Sequence, residues 1–203
     1  MINLHTDFLN KCKQNMSVEK YPKQFPVIET SRLLLRQISP LDVDNIFEYA
    51  SDTDVTPFVI FETHITKEDS LSFIQFACEE FEKQSSIIWA ILLKSENKMI
   101  GTIDLRNYNS IHRCGEVGYV IGKQYWNKGF VSEAMKAVID YGFGELNLNR
   151  IESHCEHENT GSWHVMENCG MKYEGTLREK VFIKNRFRSM KMYSILKSEW
   201  IAK

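Results

Sequence analysis

The chain has 203 residues, of which 43% are hydrophobic, 26% charged and 12% aromatic, and 25 Lys and Arg against 27 Asp and Glu give a formal net charge of −2. This is ordinary globular composition, long enough for one domain with a substantial core, and it excludes disordered and collagen-like chains. The near-neutral balance argues against a nucleic-acid module, because neutralising phosphates needs a basic excess. Apolar runs such as Ser86–Leu93 fall far short of the roughly 20 residues that span a bilayer. The first residues lack the basic-then-apolar pattern of a leader peptide, so a cytoplasmic protein without a membrane partner is expected. Cys12, Cys78, Cys114, Cys155 and Cys169 are scattered, with no C-x-x-C pair. They read as reduced, structural thiols.

Residues 1–25 are polar and read as an N-terminal extension of unassigned role, with the folded domain running over 26–203. A strand is predicted from Ile28 to Arg36. Ser39-Pro40-Leu41-Asp42 then starts a helix, with serine as cap, proline in the first turn and aspartate complementing the dipole. Val43, Ile46, Phe47 and Ala50 form its apolar stripe. Asp52 to Thr66 is a loop carrying the apolar patch Pro57–Phe61. Thr66 caps a second helix, whose Leu71, Ile74, Cys78 and Phe81 are expected on one face. Strands Ile87–Leu93 and Met99–Leu105 flank a hairpin turn at Lys94–Lys98. Glu116–Ile121 is a further strand, and residues from Gly129 to about Gly144 form a helix with Val131, Ala134, Met135 and Val138 inward. Arg150–Cys155 is a strand. Thr160 to Asn168 is a short helix ending at Cys169-Gly170, where glycine suits a left-handed position. Tyr173–Leu196 reads as two strands turning near Lys184-Asn185. The order βααβββαβαββ predicts an α/β (α+β) fold with a mixed sheet flanked by helices.

The most informative stretch is Gly115 to Ala134, in which a strand ends, the chain turns at Asn127-Lys128-Gly129 and a helix begins. Free N–H groups at such a helix start, aided by the dipole, can hold a phosphate. Gly129 allows close backbone approach and Lys128 adds charge. Neither G-x-x-x-x-G-K-[ST] nor G-x-G-x-x-G fits, so P-loop and Rossmann readings fail.

A series of motifs in order carries a resemblance: Thr30–Arg36, Gly101-Thr102-Ile103, Glu116–Tyr119, Trp126–Ala134, Leu148–Glu152, Asn159–Ser162, Cys169–Met171, Glu174–Arg178 and Tyr193-Ser194. Together they resemble the GNAT superfamily of acetyl-CoA-dependent N-acetyltransferases, within it the ribosomal-protein N-terminal acetyltransferase branch, from about Thr30 to Trp200. The resemblance implies a mostly antiparallel central sheet and acetyl-CoA as co-substrate. It implies that the backbone of Val117, Gly118, Tyr119 and Val120, with the turn Trp126, Asn127, Lys128, Gly129, Phe130 and Val131, holds CoA. Val131 stands where the family commonly has a small residue, so its side chain must point away from the phosphates. Asn159 would bond to the CoA arm. Glu116 would act as base, directly or through water, and Ser162 would protonate the departing thiolate.

Strand alternation places Glu116, Gly118 and Val120 on one face, with Val117 and Tyr119 on the other. Tyr119 and Tyr141 compete with Ser162 as the acid, and the Val117 N–H is a candidate oxyanion donor. His154, Cys155, Glu156 and His157 invite a metal reading, which is rejected because adjacent strand residues face opposite ways and zinc-type spacing is missing. No metal is expected. The acceptor is read as a primary amine, first a protein N-terminal α-amine, ribosomal proteins included, and second a small amine such as a polyamine, amino sugar or antibiotic. A non-catalytic acyl-CoA-binding module is the third reading. The oligomeric state is open.

Overall fold

A computed structural model describes residues 22–201. Eight strands form one sheet in the order β1-β2-β3-β4-β5-β6-β8-β7. They are β1 (Ile28–Glu29), β2 (Leu33–Gln37), β3 (Ser86–Leu93), β4 (Lys98–Asn109), β5 (Cys114–Ile121), β6 (Arg150–Glu156), β7 (Lys172–Ile183) and β8 (Arg186–Leu196). Every neighbouring pair is antiparallel except β5 and β6. The helices are α1 (Val43–Ala50), α2 (Lys67–Glu82), α3 (Phe130–Gly144), α4 (Thr160–Asn168) and α5 (Lys197–Ile201). The mixed, mostly antiparallel sheet expected from the sequence is therefore present.

The sheet separates two apolar layers. Val117, Ile121, Ile103 and Trp89 pack with Val131, Ala134, Met135 and Val138 of α3 on one face. Ile88, Ala90 and Met99 pack with Ile46, Ala50, Ile74 and Ala77 of α1 and α2 on the other. With both faces covered, β3 is buried at nearly every position, as its unbroken apolar run requires.

Three local details differ from expectation. The strand predicted over Ile28–Arg36 is two short strands folded back on each other, with Ile28 opposite Leu35. The reason lies a hundred residues away. Glu133 on α3 accepts hydrogen bonds from Thr30 Oγ1 (2.6 Å), Ser31 Oγ (3.0 Å), the Arg32 N–H (2.9 Å) and Arg32 Nε (2.6 Å). One carboxylate thus satisfies a whole turn, which no local pattern announces. In α2, Leu71 is 44% exposed, and the buried stripe is Ser70, Ile74 and Ala77. The face is rotated because Ser70 Oγ lies 2.9 Å from His64 Nδ1 of the preceding loop. Finally, Phe25 packs against Phe81 and Trp89 with ring centroids 4.9 and 6.1 Å apart, and Trp89 Nε1 donates to the Pro26 carbonyl at 2.7 Å. The packed chain therefore begins before residue 26, while residues 1–21 of the expected extension lie outside the described residues.

Candidate active site

The site starts from an interruption in the sheet. β5 and β6 pair only through Cys114–Arg150, Gly115–Ile151 and Glu116–Glu152. Beyond Glu116 the strands diverge, and the Ser153 hydroxyl, donating to the Val117 carbonyl at 2.8 Å, takes the place of the ladder. The β5 backbone from Val117 to Val120 thus borders a gap on its β6 side. The main-chain groups that point into the gap, apart from the Val117 carbonyl held by Ser153, are open to an extended ligand.

On the α3 face the chain leaves β5, turns at Trp126–Gly129 and enters α3. Asn127 (φ 57°) and Gly129 (φ 76°) are both left-handed, which turns successive N–H groups toward one side of the helix start. Phe130 and Val131 point their side chains into the core, so these positions offer only backbone to a phosphate. Trp126 is partly exposed and anchored by its indole N–H on the Ile121 carbonyl at 3.0 Å. Arg32 stiffens the turn from outside. It donates to the Lys128 carbonyl at 3.0 Å and lies 4.5 Å over the Phe130 ring.

Ser162 and Tyr119 meet on this same face. The Tyr119 hydroxyl donates to the Ser162 carbonyl at 2.9 Å and lies 2.8 Å from Ser162 Oγ. Burial pushes the Tyr119 phenol up, with the Ser162 contact opposing, so it stays protonated. Cys155 is buried beside them and its thiol is raised to about 11, chiefly by burial. Asn159 caps α4, its side-chain oxygen accepting the Ser162 N–H at 3.1 Å. Tyr141 instead packs edge-on against Trp89 of β3, 5.8 Å between centroids, two strands from β5 in the sheet.

On the α1–α2 face stands a cluster of charged groups. Glu116 Oε1 accepts from Arg106 Nε (3.1 Å) and NH2 (2.8 Å), and Oε2 accepts from Asn107 Nδ2 (3.1 Å). His154 Nδ1 lies 3.3 Å from Glu116 Oε1. Asp104 sits opposite Gly118 in the register of β4 and β5, with one oxygen 3.2 Å from Arg106 NH1. Burial alone would raise the Glu116 carboxyl, but the Arg106 charge and the hydrogen bonds from Arg106 and Asn107 hold it below the usual range. Burial raises Asp104 to about 6, against the pull of Arg106 and with a push from Glu116. His154 is held low by burial and so neutral.

Glu116 and Ser162, both singled out in the sequence, are therefore on opposite faces of the gap. Asp104 and Arg106 were missed. Their alternation on β4 was readable, but which β5 residues they oppose depends on register. His154 faces Glu116, whereas Cys155 belongs to the core on the other side, as alternation predicts. Among the described residues no three His, Cys, Asp or Glu side chains are grouped to hold a metal ion.

The far end of this face is bounded by two arms. Lys184 Nζ in the β7–β8 turn donates to the Thr56 carbonyl at 2.6 Å, and Arg188 NH1 to the Pro57 carbonyl at 2.7 Å. Arg188 is itself paired with Glu156 at the end of β6. The turn forms at Lys184-Asn185, as expected, with φ of 50° and 59°.

Residues 32–172 match the acetyltransferase (GNAT) domain. The chain belongs to the GNAT acetyltransferase family. It is 34% identical over 173 residues to the uncharacterized N-acetyltransferase YoaA of Bacillus subtilis, covering 85% of this chain and 98% of that one. A GNAT acetyltransferase structure from Bacillus anthracis superposes with a TM-score of 0.77 at 33% identity, covering 86% of this chain and all (100%) of that one. A Vibrio cholerae spermidine N-acetyltransferase, solved with CoA and spermine, gives 0.72 at 27% identity, covering 85% and 99%. The protein is thus an N-acetyltransferase of a family that uses acetyl-CoA, and the split between β5 and β6 lies inside the matched region.

Proposed function

We propose that the protein transfers the acetyl group of acetyl-CoA directly to the primary amine of a polypeptide N-terminus, in a cytoplasmic setting. The observation that carries the transfer is the β5–β6 gap, with an N–H-rich turn and hydroxyls on one face and an anionic cluster on the other. In this reading the N–H groups from Asn127 to Val131 hold the pyrophosphate beside Trp126, whose own N–H is taken by the Lys123 carbonyl, and the Lys128 charge helps. The gap side of the backbone from Val117 through Gly118 and Tyr119 to Val120 pairs with the extended arm, and the Asn159 amide nitrogen adds a donor. Acetyl-CoA supplies the thioester.

Ser162 Oγ protonates the departing thiolate and Tyr119 replenishes it through their hydrogen bond. Glu116, kept ionised by Arg106, draws the acceptor's ammonium to the opposite side. The polypeptide acceptor is supported by the rim of this face. Phe58 and Ile60 on one arm, and Phe182 and Phe187 on the other, are 40%, 69%, 61% and 63% exposed. Large apolar side chains left in water beside a cleft suit a partner that continues outward past its terminal amine.

A second reading, a small polyamine, is favoured by the anionic cluster and by the likeness to the Vibrio cholerae enzyme that was solved with spermine. The two separate in one competition: N-terminal peptides differing in their first residue against spermidine, spermine and aminoglycosides, scored by free-thiol release. Peptide turnover that depends on the first residue is expected. Turnover confined to the small amines would replace the polypeptide reading with the polyamine one.

A further inference from the structure

We propose that Asp104, rather than Glu116, takes the proton from the acceptor's ammonium, an inference that rests on the acetyltransferase reading above. The two carboxylates share one face and one guanidinium, yet they are held differently. Both oxygens of Glu116 are occupied by fixed donors, three hydrogen bonds of 2.8–3.1 Å from Arg106 and Asn107. Asp104 is held loosely. Its Oδ2 meets Arg106 NH1 at 3.4 Å and the Gly118 N–H. Its Oδ1 accepts no hydrogen bond at all, although it is shut off from solvent and only 3.2 Å from Arg106 NH1. Asp104 can therefore take a proton on an oxygen with no hydrogen bond to give up, whereas Glu116 has three of its roughly four lone-pair positions already filled.

Position supports the same assignment. A Cβ on Gly118 would stand 2.8 Å from both Asp104 Oδ2 and Arg106 NH1. The Asp104 carboxylate therefore lies over β5 two residues past its last pairing with β6, beside the gap rather than behind it. Its side chain keeps 17% of its surface accessible through atoms other than Oδ1, and a substrate nitrogen or one bridging water reaches the carboxylate at that edge.

Charge supplies the driving force. The charged groups acting on Asp104 are Arg106 on its own strand and Glu116 on β5, with His154 of β6 beyond Glu116 and Glu152 of β6 and Lys180 of β7 acting on His154. With His154 neutral, two carboxylates share one guanidinium at the centre, and the cluster is one positive charge short. An ammonium fills that deficit on binding, and a proton on Asp104 fills it after transfer. Burial, opposed by Arg106 and aided by the Glu116 charge, sets Asp104 at about 6, near the optimum for a base at neutral pH, whereas Arg106 and Asn107 hold Glu116 below the usual carboxylate range.

The step balances. One ammonium N–H bond breaks and its proton joins Asp104, leaving a neutral amine. The nitrogen lone pair forms the bond to the thioester carbonyl carbon, and the C–S electron pair leaves with sulfur. The second nitrogen proton passes to solvent as the amide forms, and sulfur gains its proton from Ser162. Ser162 is reprotonated from solvent through Tyr119, and Asp104 returns its own proton to solvent, for a net release of one proton.

The test compares Asp104→Asn and Glu116→Gln in the full-length chain, with spermidine and an N-terminal alanyl peptide as probes. In the wild type kcat/KM should fall below an apparent pKa of about 6. Asp104→Asn should lose roughly 10²–10⁴ in kcat at pH 7, recover part of it at high pH where free amine is abundant, and no longer show that acidic limb. Glu116→Gln should raise KM for the acceptor and keep the limb, moved to lower pH by loss of a like charge. Carboxyl carbon NMR of labelled aspartate gives a readout independent of turnover, with one resonance titrating near 6 that Asp104→Asn removes. An unchanged limb in Asp104→Asn, or a limb lost only in Glu116→Gln, would overturn the assignment. Calorimetry with acetyl-CoA separates the two levels. Failure of the wild type to bind it would bring down the transferase reading itself, and the role of Asp104 with it.

Discussion

At the β5–β6 gap the α3 face is built from backbone N–H groups and neutral hydroxyls, whereas the α1–α2 face is built from ionisable side chains brought in by three strands. The backbone part of the first face needs only one turn and one helix, contiguous from Trp126 onward and set by two left-handed residues and a helix end, while its hydroxyls come from Tyr119 of β5 and Ser162 of α4. The second needs Asp104 and Arg106 of β4, Glu116 of β5 and His154 of β6 in a single register. A site made of backbone binds an unchanging cofactor fragment and tolerates side-chain drift. A site made of side chains can be retuned for a new acceptor while the cofactor side stays as it is. The shared gap between them lets an electrophile and a nucleophile arrive from opposite sides.

The backbone face is the easier to break. Gly129→Asp would place a carboxylate where the turn accepts an anion and a Cβ at φ 76°. Acetyl-CoA affinity should fall by more than about 100-fold, since like charges juxtaposed in a binding site cost several kcal/mol. Calorimetry alongside circular dichroism checks this, and unchanged affinity would remove the turn from the site.

A smaller effect is expected one step behind the turn, at Glu133. Burial alone would raise this carboxyl, but the hydrogen bonds from Thr30, Arg32 and Ser31 prevail and set it at about 2. A depressed folded-state value stabilises the fold above the unfolded value of about 4.5, and the contribution is lost as pH falls from there through 2. Glu133→Ala should therefore cost about 2 kcal/mol at pH 7, partly screened at this half-buried site, and progressively less as the pH drops below 4. Urea titrations at pH 7 and pH 3 measure the difference. Equal losses at both would mean that the turn is held by packing, not by charge.

The smallest effect belongs to the hydroxyl pair. Ser162→Ala should slow transfer by roughly 10-fold, because water can protonate a thiolate in its place. Tyr119→Phe should act through the same bond, so the double variant should be little worse than Ser162→Ala alone. Independent, multiplying losses in single-turnover kinetics would give Tyr119 a separate role.

The contrast also sorts what could be read in advance. The helix starts were legible because their chemistry is local. Asp42 accepts the Ser39 N–H at 2.8 Å, and Asp69 accepts the Thr66 N–H at 2.9 Å, each three residues from its cap. The Lys184-Asn185 turn, Gly170 and the inward stripe of α3 were legible for the same reason. The split of Ile28–Arg36 was not, because Glu133 lies about a hundred residues away. Nor was the rotation of α2, where a polar contact from Ser70 to the loop overrode the most apolar face.

Sequence by itself determined the acetyltransferase family, the succession of strands and helices and the position of the turn that starts α3, because those rest on short-range periodicity and on motifs in fixed order. It also put Glu116 and Tyr119 on opposite faces, since side chains alternate along any strand. Tertiary structure alone decided which carboxylate is free. Asp104 and Glu116 differ little as residues, and the difference between an engaged and an open oxygen comes from the β4–β5 register, which places Arg106 and Asn107 against one and glycine beneath the other. Hydrogen bonding and desolvation act over a few ångströms in space, and the chain brings those atoms together only once the sheet has closed around the gap.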